Sequence, residues 1–307
     1  FRSEVAPSFF LVSGVQYQFH DANSVTPYGN IAKESTKFNM IDPYVTGVYT
    51  SKEGFNVNVG ARWNSHSAYG NQLVYNVNPS FDFQSLPLKI LSSYSTAFVT
   101  PSLYQLYSQY GNSKLTPEKN STAELGFETQ LVNKKIQWNL VGFYREQTNF
   151  IGFYYNPTTY ASNYVNIDGL NKAKGIETEV KCTLSDKVKW SSNYTFTQVD
   201  ATLDRLIPKH KINSSLDFKI SDRLFWNINY QYVGAKKDAF FDGNTYATTQ
   251  VNLGSYQLVN TLVRHEILKN RITAFASITN IFNVDFVENV GYSALGRNFK
   301  LGLTINL

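Results

Sequence analysis

Cysteine, methionine and charge are all scarce in this chain of 307 residues. It has one cysteine, Cys182, and one methionine. A single thiol excludes an internal disulfide and any cysteine-based zinc cluster. Charged residues make up 17% of the chain, and the net charge of +5 is too small and too dispersed for a nucleic-acid footprint. Long apolar runs are also missing. Even counting glycine, the longest is the six residues 150–155, far short of the roughly 18–20 that a membrane-spanning helix needs. If this chain meets lipid, it does so as strands. It opens on Phe1 with neither an initiator methionine nor a signal peptide, which leads one to expect a processed or incomplete chain. What is plentiful is aromatic: 22 Phe, 21 Tyr and 4 Trp, together 15% of residues. That richness excludes a disordered chain.

Alternation with period two, the mark of a strand with one apolar and one polar face, recurs from end to end. Phe55, Val57, Val59, Ala61 and Trp63 alternate with Asn56, Asn58, Gly60, Arg62 and Asn64. Trp226, Ile228, Tyr230 and Tyr232 oppose Asn227, Asn229 and Gln231, and Leu301, Leu303 and Ile305 oppose Gly302 and Thr304. In Val251 to Val263 the apolar residues fall on both parities, so no face is assignable.

Punctuation between the strands is asymmetric. Short turns stand at 51–54, 84–87, 133–135, 185–187, 221–223 and 268–270. Long polar and aromatic connections stand at 21–35, 65–72, 99–119, 146–163, 201–209, 235–249 and 283–297. Short and long alternate, so about fourteen strands run up and down, with long loops at one end and both termini at the tight-turn end. This predicts an all-β fold, a transmembrane antiparallel up-and-down β-barrel of about 14 strands, apolar outside and polar inside. A soluble sandwich or propeller shares the alternation and is the competing reading. Aromatics near strand ends, such as Trp63, Phe98, Trp138, Trp190, Trp226 and Tyr232, favour the barrel.

No catalytic constellation emerges, and the expectation is a protein that is not an enzyme. His20, His66, His210 and His265 lie far apart in sequence, and no nucleophile elbow, phosphate loop or zinc-protease motif is present. Asp238 and Asp242 offer at most a loop cation site, and a solvated loop is the simpler reading; no metal or cofactor is expected. Inward polar residues such as Glu124, Glu128, Gln137, Asn139, Glu179, Lys181, Asn213, Asp217, Asn227 and Asn229 coat a pore or hold a plug. The long loops are the expected ligand surface. Their candidate contacts are Tyr104, Tyr107, Tyr110, Tyr154, Tyr155, Phe240 and Tyr246, because tyrosine offers broad contact area with a polar tip. Lysines such as Lys33, Lys37, Lys114, Lys119, Lys172 and Lys236 make that end basic, which suits lipid phosphates as well as an anionic ligand.

Three segments carry a family resemblance. The first is Ala97-Phe98-x-x-Pro101-x-Leu103-x-x-Leu106-Tyr107, followed by Tyr110-Gly111-Asn112, Leu115-Thr116-Pro117-Glu118-Lys119 and Glu124-Leu125-Gly126. Here Thr100 is expected to cap and Pro101 to open a short helix that Gly111 stops. The second is Thr279-Asn280-Ile281-Phe282-Asn283 with Asp285-Phe286, and the third is Gly296-Arg297-Asn298-Phe299 before the last strand. Together these resemble TonB-dependent outer-membrane receptors, nearest the cobalamin receptor subgroup, with catechol-siderophore receptors next. One departure is Leu307, where an aromatic residue is usual.

The resemblance implies the C-terminal part of a barrel of about 22 strands, its plug domain and first strands lying outside this chain. It implies uptake of a bulky, scarce nutrient across the outer membrane of a Gram-negative bacterium. The nutrient is cobalamin first, with an iron siderophore or haem as the alternative. The partners it implies are outer-membrane lipid, the TonB complex acting through the plug, the transported ligand and a surface ligand-capture lipoprotein. A self-contained passive channel of fourteen strands is the competing function.

Overall fold

The computed structural model describes residues 2–306 except 22, 27–28, 34–35, 157–158, 160, 202–203 and 244–246. Its strands in the first half are β1 (Arg2–Ala6), β2 (Phe9–His20), β3 (Ser24–Thr26), β4 (Gly29–Ile31), β5 (Phe38–Thr50), β6 (Phe55–His66), β7 (Gly70–Asp82) and β8 (Leu88–Val99). A five-residue helix, α1 (Leu103–Tyr107), follows. Then come β9 (Glu118–Leu131), β10 (Ile136–Tyr155), β11 (Ser162–Ser185), β12 (Val188–Val199), β13 (His210–Lys219) and β14 (Leu224–Val233). The last are β15 (Lys236–Asp242), β16 (Ala247–Leu253), β17 (Tyr256–Leu268), β18 (Ile272–Thr279) and β19 (Asn298–Ile305).

Among the described residues, fifteen strands pair in the order β1-β2-β5-β6-β7-β8-β9-β10-β11-β12-β13-β14-β17-β18-β19. β3–β4 and β15–β16 are separate hairpins within loops. The strand beyond the expected fourteen comes from a turn at Pro7 and Ser8, where Ser8 takes a left-handed φ of 70° and divides the first segment in two. The N-terminal strand therefore starts at the long-loop end. Two expected long connections are different in kind. That at 65–72 is a turn of three residues, since β6 and β7 stay paired up to His66 and Gly70. That at 146–163 is mostly strand. β10 and β11 have 20 and 24 residues, and at about 3.3 Å per residue each is roughly twice the 9–11 residues that cross a bilayer. The mixed parity of 251–263 also has a cause: β16 ends at Leu253 and β17 begins at Tyr256.

The chain divides into two compact units: unit 1, Phe1–Leu125 with Phe143–Lys172, and unit 2, Gly126–Gly142 with Ala173–Leu307. In unit 1 the ladders of β2, β5, β6 and β7 put Gln16, Asp42, Arg62 and Asn64 on one face and Val15, Ile41, Val45, Val59, Trp63 and Leu73 on the other. The polar face is tied together. Arg62 and Asn64 both donate to the Asp42 carboxylate, and Arg62 Nη2 also donates to Gln16 Oε1 at 2.7 Å. Asp42 is buried while the six apolar residues are all exposed. An exposed apolar face with a hydrogen-bonded polar face opposite is the burial pattern for hydrocarbon solvent.

Unit 2 repeats the pattern. Its polar face carries asparagine contacts, Asn213 Nδ2 to Asn193 Oδ1 at 3.0 Å and Asn227 Nδ2 to Asp217 Oδ1 at 2.6 Å. Its apolar face carries three indoles near the tight turns, and each satisfies its N–H on the neighbouring strand. Trp138 donates to Thr178 Oγ1, Trp190 to Ser214 Oγ and Trp226 to Thr261 Oγ1, at 2.8–2.9 Å. Thr178 and Thr261 pass the bond on to the carbonyls of Asn139 and Asn227. No headgroup or water is needed to satisfy these rings.

Candidate functional site

At the loop end of unit 1 the burial rule reverses and a small globular core forms. Its centre is Leu106, Leu115 and Ile151, with Tyr69, Tyr107 and Tyr164 packed around it. α1 delivers Leu106 and Tyr107. Its cap is Ser102 rather than Thr100, because a capping box forms there: Gln105 N donates to Ser102 Oγ, and Ser102 N to Gln105 Oε1. The helix ends at Tyr107, so Tyr110 lies beyond it. Gly111 is required next, since a Cβ would lie 2.5 Å from the Leu106 carbonyl oxygen.

Asparagines then clasp this loop to the long β10–β11 hairpin. Asn112 Nδ2 donates to the Tyr164 carbonyl at 3.0 Å. Asn149, at a left-handed φ of 61° within β10, donates to Thr116 Oγ1 and to the Pro117 carbonyl. Asn166 accepts from Thr116 N and donates to the Thr116 carbonyl. Glu118 accepts from Ile151 N at 2.7 Å and Gln147 Nε2 at 3.0 Å. The motif Leu115-Thr116-Pro117-Glu118 is thus a structural clasp.

The candidate tyrosines of unit 1 gather on this core. Tyr104 meets Tyr164 edge to face at 6.3 Å, and Tyr110 meets Phe153 at 5.5 Å. Both remain exposed, as do Tyr154 and Tyr155 on the hairpin, whereas Tyr107 is half-buried. Beside Tyr107 opens a cleft of about 270 Å³, lined also by His20, Lys37, His66, Tyr69 and Ser102. Here the structure joins residues that are remote in sequence. Phe38 is sandwiched between His20 and His66, with ring centroids 4.7 and 4.6 Å away, and His66 lies 4.6 Å from Tyr69. Pairing strand ends in register, His20 with Phe38 and Met40 with His66, is the signal that reveals this cluster. Burial, then the Tyr107 charge, pushes the Tyr69 hydroxyl up to about 12, so it stays a donor.

Unit 2 has its own loop platform. Asp238 is buried and accepts from Arg205 Nε, Ala239 N and Val290 N at 2.7–2.9 Å. The Val290 amide first, with Ala239 and Arg205, holds its carboxyl below the usual carboxylate range against the opposing effect of burial. Asp238 is therefore a brace between loops, and its oxygens are occupied. The Tyr256 hydroxyl, pushed up by burial and then by its bond to Glu288, belongs to a ring that packs tilted against Phe286 at 4.5 Å. Phe240 is exposed on β15, and Tyr246 lies outside the described residues.

The remaining motifs form a second clasp in unit 2. Asn280, buried and at φ 50°, exchanges bonds with both backbone groups of Val284. Asn283 accepts from Arg297 N at 2.8 Å, and a Cβ on Gly296 would meet its Oδ1.

Residues 3–281 match the family described as "TonB dependent receptor-like, beta-barrel". This chain belongs to that family. TonB-dependent receptors are transport proteins and not enzymes, in agreement with the sequence reading. The chain is 30% identical over 249 residues to the vitamin B12 transporter BtuB of Vibrio cholerae, covering 79% of this chain and 38% of that protein. Among solved structures it is similar to the ferric enterobactin receptor PfeA of Pseudomonas aeruginosa, with a TM-score of 0.76 and 19% identity over 97% of this chain and 51% of the receptor's. It is also similar to the siderophore receptor PirA of Acinetobacter baumannii, with a TM-score of 0.76 and 17% identity over 96% and 52%. The chain thus spans about half or less of each relative. At these identities the structural likeness speaks for the TonB-dependent receptor fold alone.

Proposed function

We propose that the chain forms the C-terminal part of the barrel of a TonB-dependent receptor in the outer membrane of a Gram-negative bacterium. A plug domain and the first strands of a barrel of about 22 strands come from sequence outside these 307 residues. In this reading the loops capture a bulky, scarce nutrient, and the plug rearranges when the inner-membrane TonB complex pulls on it. The proton-motive force supplies the energy, as no nucleotide-binding motif occurs in the chain. A surface lipoprotein that captures ligand is a further partner in this scheme.

The ligand in this reading is a corrinoid such as cobalamin. The observation that carries it is the 30% identity to a vitamin B12 transporter across 79% of the chain. Tyr104, Tyr107, Tyr110, Tyr154, Tyr155, Phe240 and Tyr246 are the proposed contacts, broad aromatic faces for a large flat ligand. The second reading, a ferric siderophore, comes from the sequence motifs, which place catechol-siderophore receptors next after the cobalamin subgroup.

Uptake of labelled cyanocobalamin and of ferric enterobactin by cells carrying the full-length receptor tests both. Accumulation of cyanocobalamin that vanishes without TonB supports the first reading. Accumulation of the siderophore alone replaces it with the second. A steady ion conductance from this chain alone in planar bilayers would instead favour a passive channel. In the full-length receptor, Tyr104→Ala with Tyr107→Ala should weaken ligand binding by about 1–3 kcal/mol in titration calorimetry, and unchanged affinity removes them from the site.

A further inference from the structure

We propose that neutral His66 latches the roof of the unit 1 cleft and that its protonation releases that roof, making capture at this end pH-dependent. This rests on reading the cleft as ligand-facing, and the test below needs no ligand.

His66 Nδ1 accepts from two backbone amides, Ala68 N at 3.0 Å and Tyr69 N at 3.3 Å. The lone pair must therefore sit on Nδ1, and the proton of the neutral ring on Nε2. A second proton has only Nδ1 to occupy. It would turn the acceptor into a donor facing two N–H groups, so both bonds are lost together. The turn 67–69 is what those bonds hold, and Tyr69 is its far end. Tyr69 packs against Leu106, Leu115 and Ile151, the core that seats α1 over the cleft. A proton on His66 thus acts on the roof through one ring.

The surroundings oppose that proton. His20 of β2 faces His66 across Phe38 and repels a charge there. Asp42 of β5 attracts one, but its carboxylate already accepts from Arg62 and Asn64. Tyr69, its hydroxyl pushed up to about 12, faces His66 as an uncharged ring; Tyr107 of α1 lines the same cleft, and Asp21 and Lys37 on the cleft wall carry opposite charges. Burial first, then His20, lowers the His66 pKa from the ordinary 6.5. The linkage sign follows. Above 6.5 the latch has its full strength. As pH falls through 6.5 towards the lower folded value, the opened state gains the proton first and the latch weakens.

Hydrogen exchange of the full-length receptor in lipid nanodiscs, corrected for the intrinsic pH dependence of amide exchange, reads the latch directly. Between about pH 7.5 and about pH 5.5, segments 66–72 and 102–116 should exchange about tenfold faster, while 255–268 should not change. In His66→Asn the side-chain oxygen accepts the same amides, as in an Asx turn, without titrating. That variant should show no acceleration. Equal acceleration in both proteins, or none in the native receptor, overturns the proposal. Should His66→Asn fail to assemble, His20→Gln decides: removing the repelling ring must move the transition to higher pH, and an unmoved transition overturns the latch.

Discussion

On β6, the apolar Val59 and Trp63 are 47% and 45% exposed, while the polar Asn64 is 6% exposed. A short way above, at the loop end of unit 1, Leu106 and Leu115 are 6% and 2% exposed. One chain therefore follows two burial rules. The wall strands turn apolar groups outward and tie polar side chains such as Gln16, Asp42 and Arg62 to one another on the opposite face. The loop end packs leucines inward and roofs them with tyrosines, as water demands. The difference shows where the solvent changes along the strands, and it explains why β10 and β11 run on past the wall: their upper halves build a globular head.

The sharpest way to break this comparison is Leu115→Ala. In a buried globular core it should cost about 2–5 kcal/mol, localised to the head. Limited proteolysis should then cut within 99–119 while the wall stays resistant, and a protected loop would show that no separate core exists. Val59→Arg tests the other rule. A cation on a lipid face costs about 2–4 kcal/mol at mid-bilayer, so urea unfolding in bilayers should shift by that amount. Asn58→Ser, on the polar face, should shift it little. Equal effects would mean that the two faces see the same solvent.

A smaller effect comes from the clasp. Asn149→Ala leaves Thr116 and the Pro117 carbonyl short of a donor and should cost about 1–3 kcal/mol, seen as faster exchange in 112–118. The smallest is Thr261→Val. This isosteric change strands the Trp226 indole N–H on the apolar face and should cost about 0.6 kcal/mol in the wall, measured as a lower unfolding midpoint in bilayers. A gain in stability would place Trp226 within reach of water or headgroups.

Much of the wall was legible in the sequence because one residue of register flips every side chain, so alternation alone assigns faces. The segments 55–64 and 226–232 follow that reading directly. The tight turns were legible too, except at Pro7 and Ser8, where the alternation around a two-residue turn concealed the break, and at 67–69, which the sequence presents as part of a long connection. The cap at Ser102 was missed because Thr100-Pro101 is the stronger local signal, and only the Gln105 side chain folding back decides for Ser102. The family motifs identified the fold correctly, and their positions explain why. Leu115 to Glu118, Asn280 with Asn283, and Gly296 hold loops in place in this chain.

The sequence by itself determined which residues of a strand share a face and where most of the tight turns fall, since both depend on period two and on local turn chemistry; at 65–72 and 146–163 the extent of the strands was decided by the structure. Only the tertiary structure decided that His20, Phe38, His66 and Tyr69 form one ring cluster and that Asn149 and Asn166 reach Thr116. It likewise decided that Asp238 is a brace between loops, buried where a solvated loop residue was expected. Partners such as His20 and Phe38, or Asp238 and Val290, stand far apart along the chain, and they meet because of strand register and of how far each strand extends. Neither quantity is written in the local pattern, because a strand's length past the membrane is set by what packs against it.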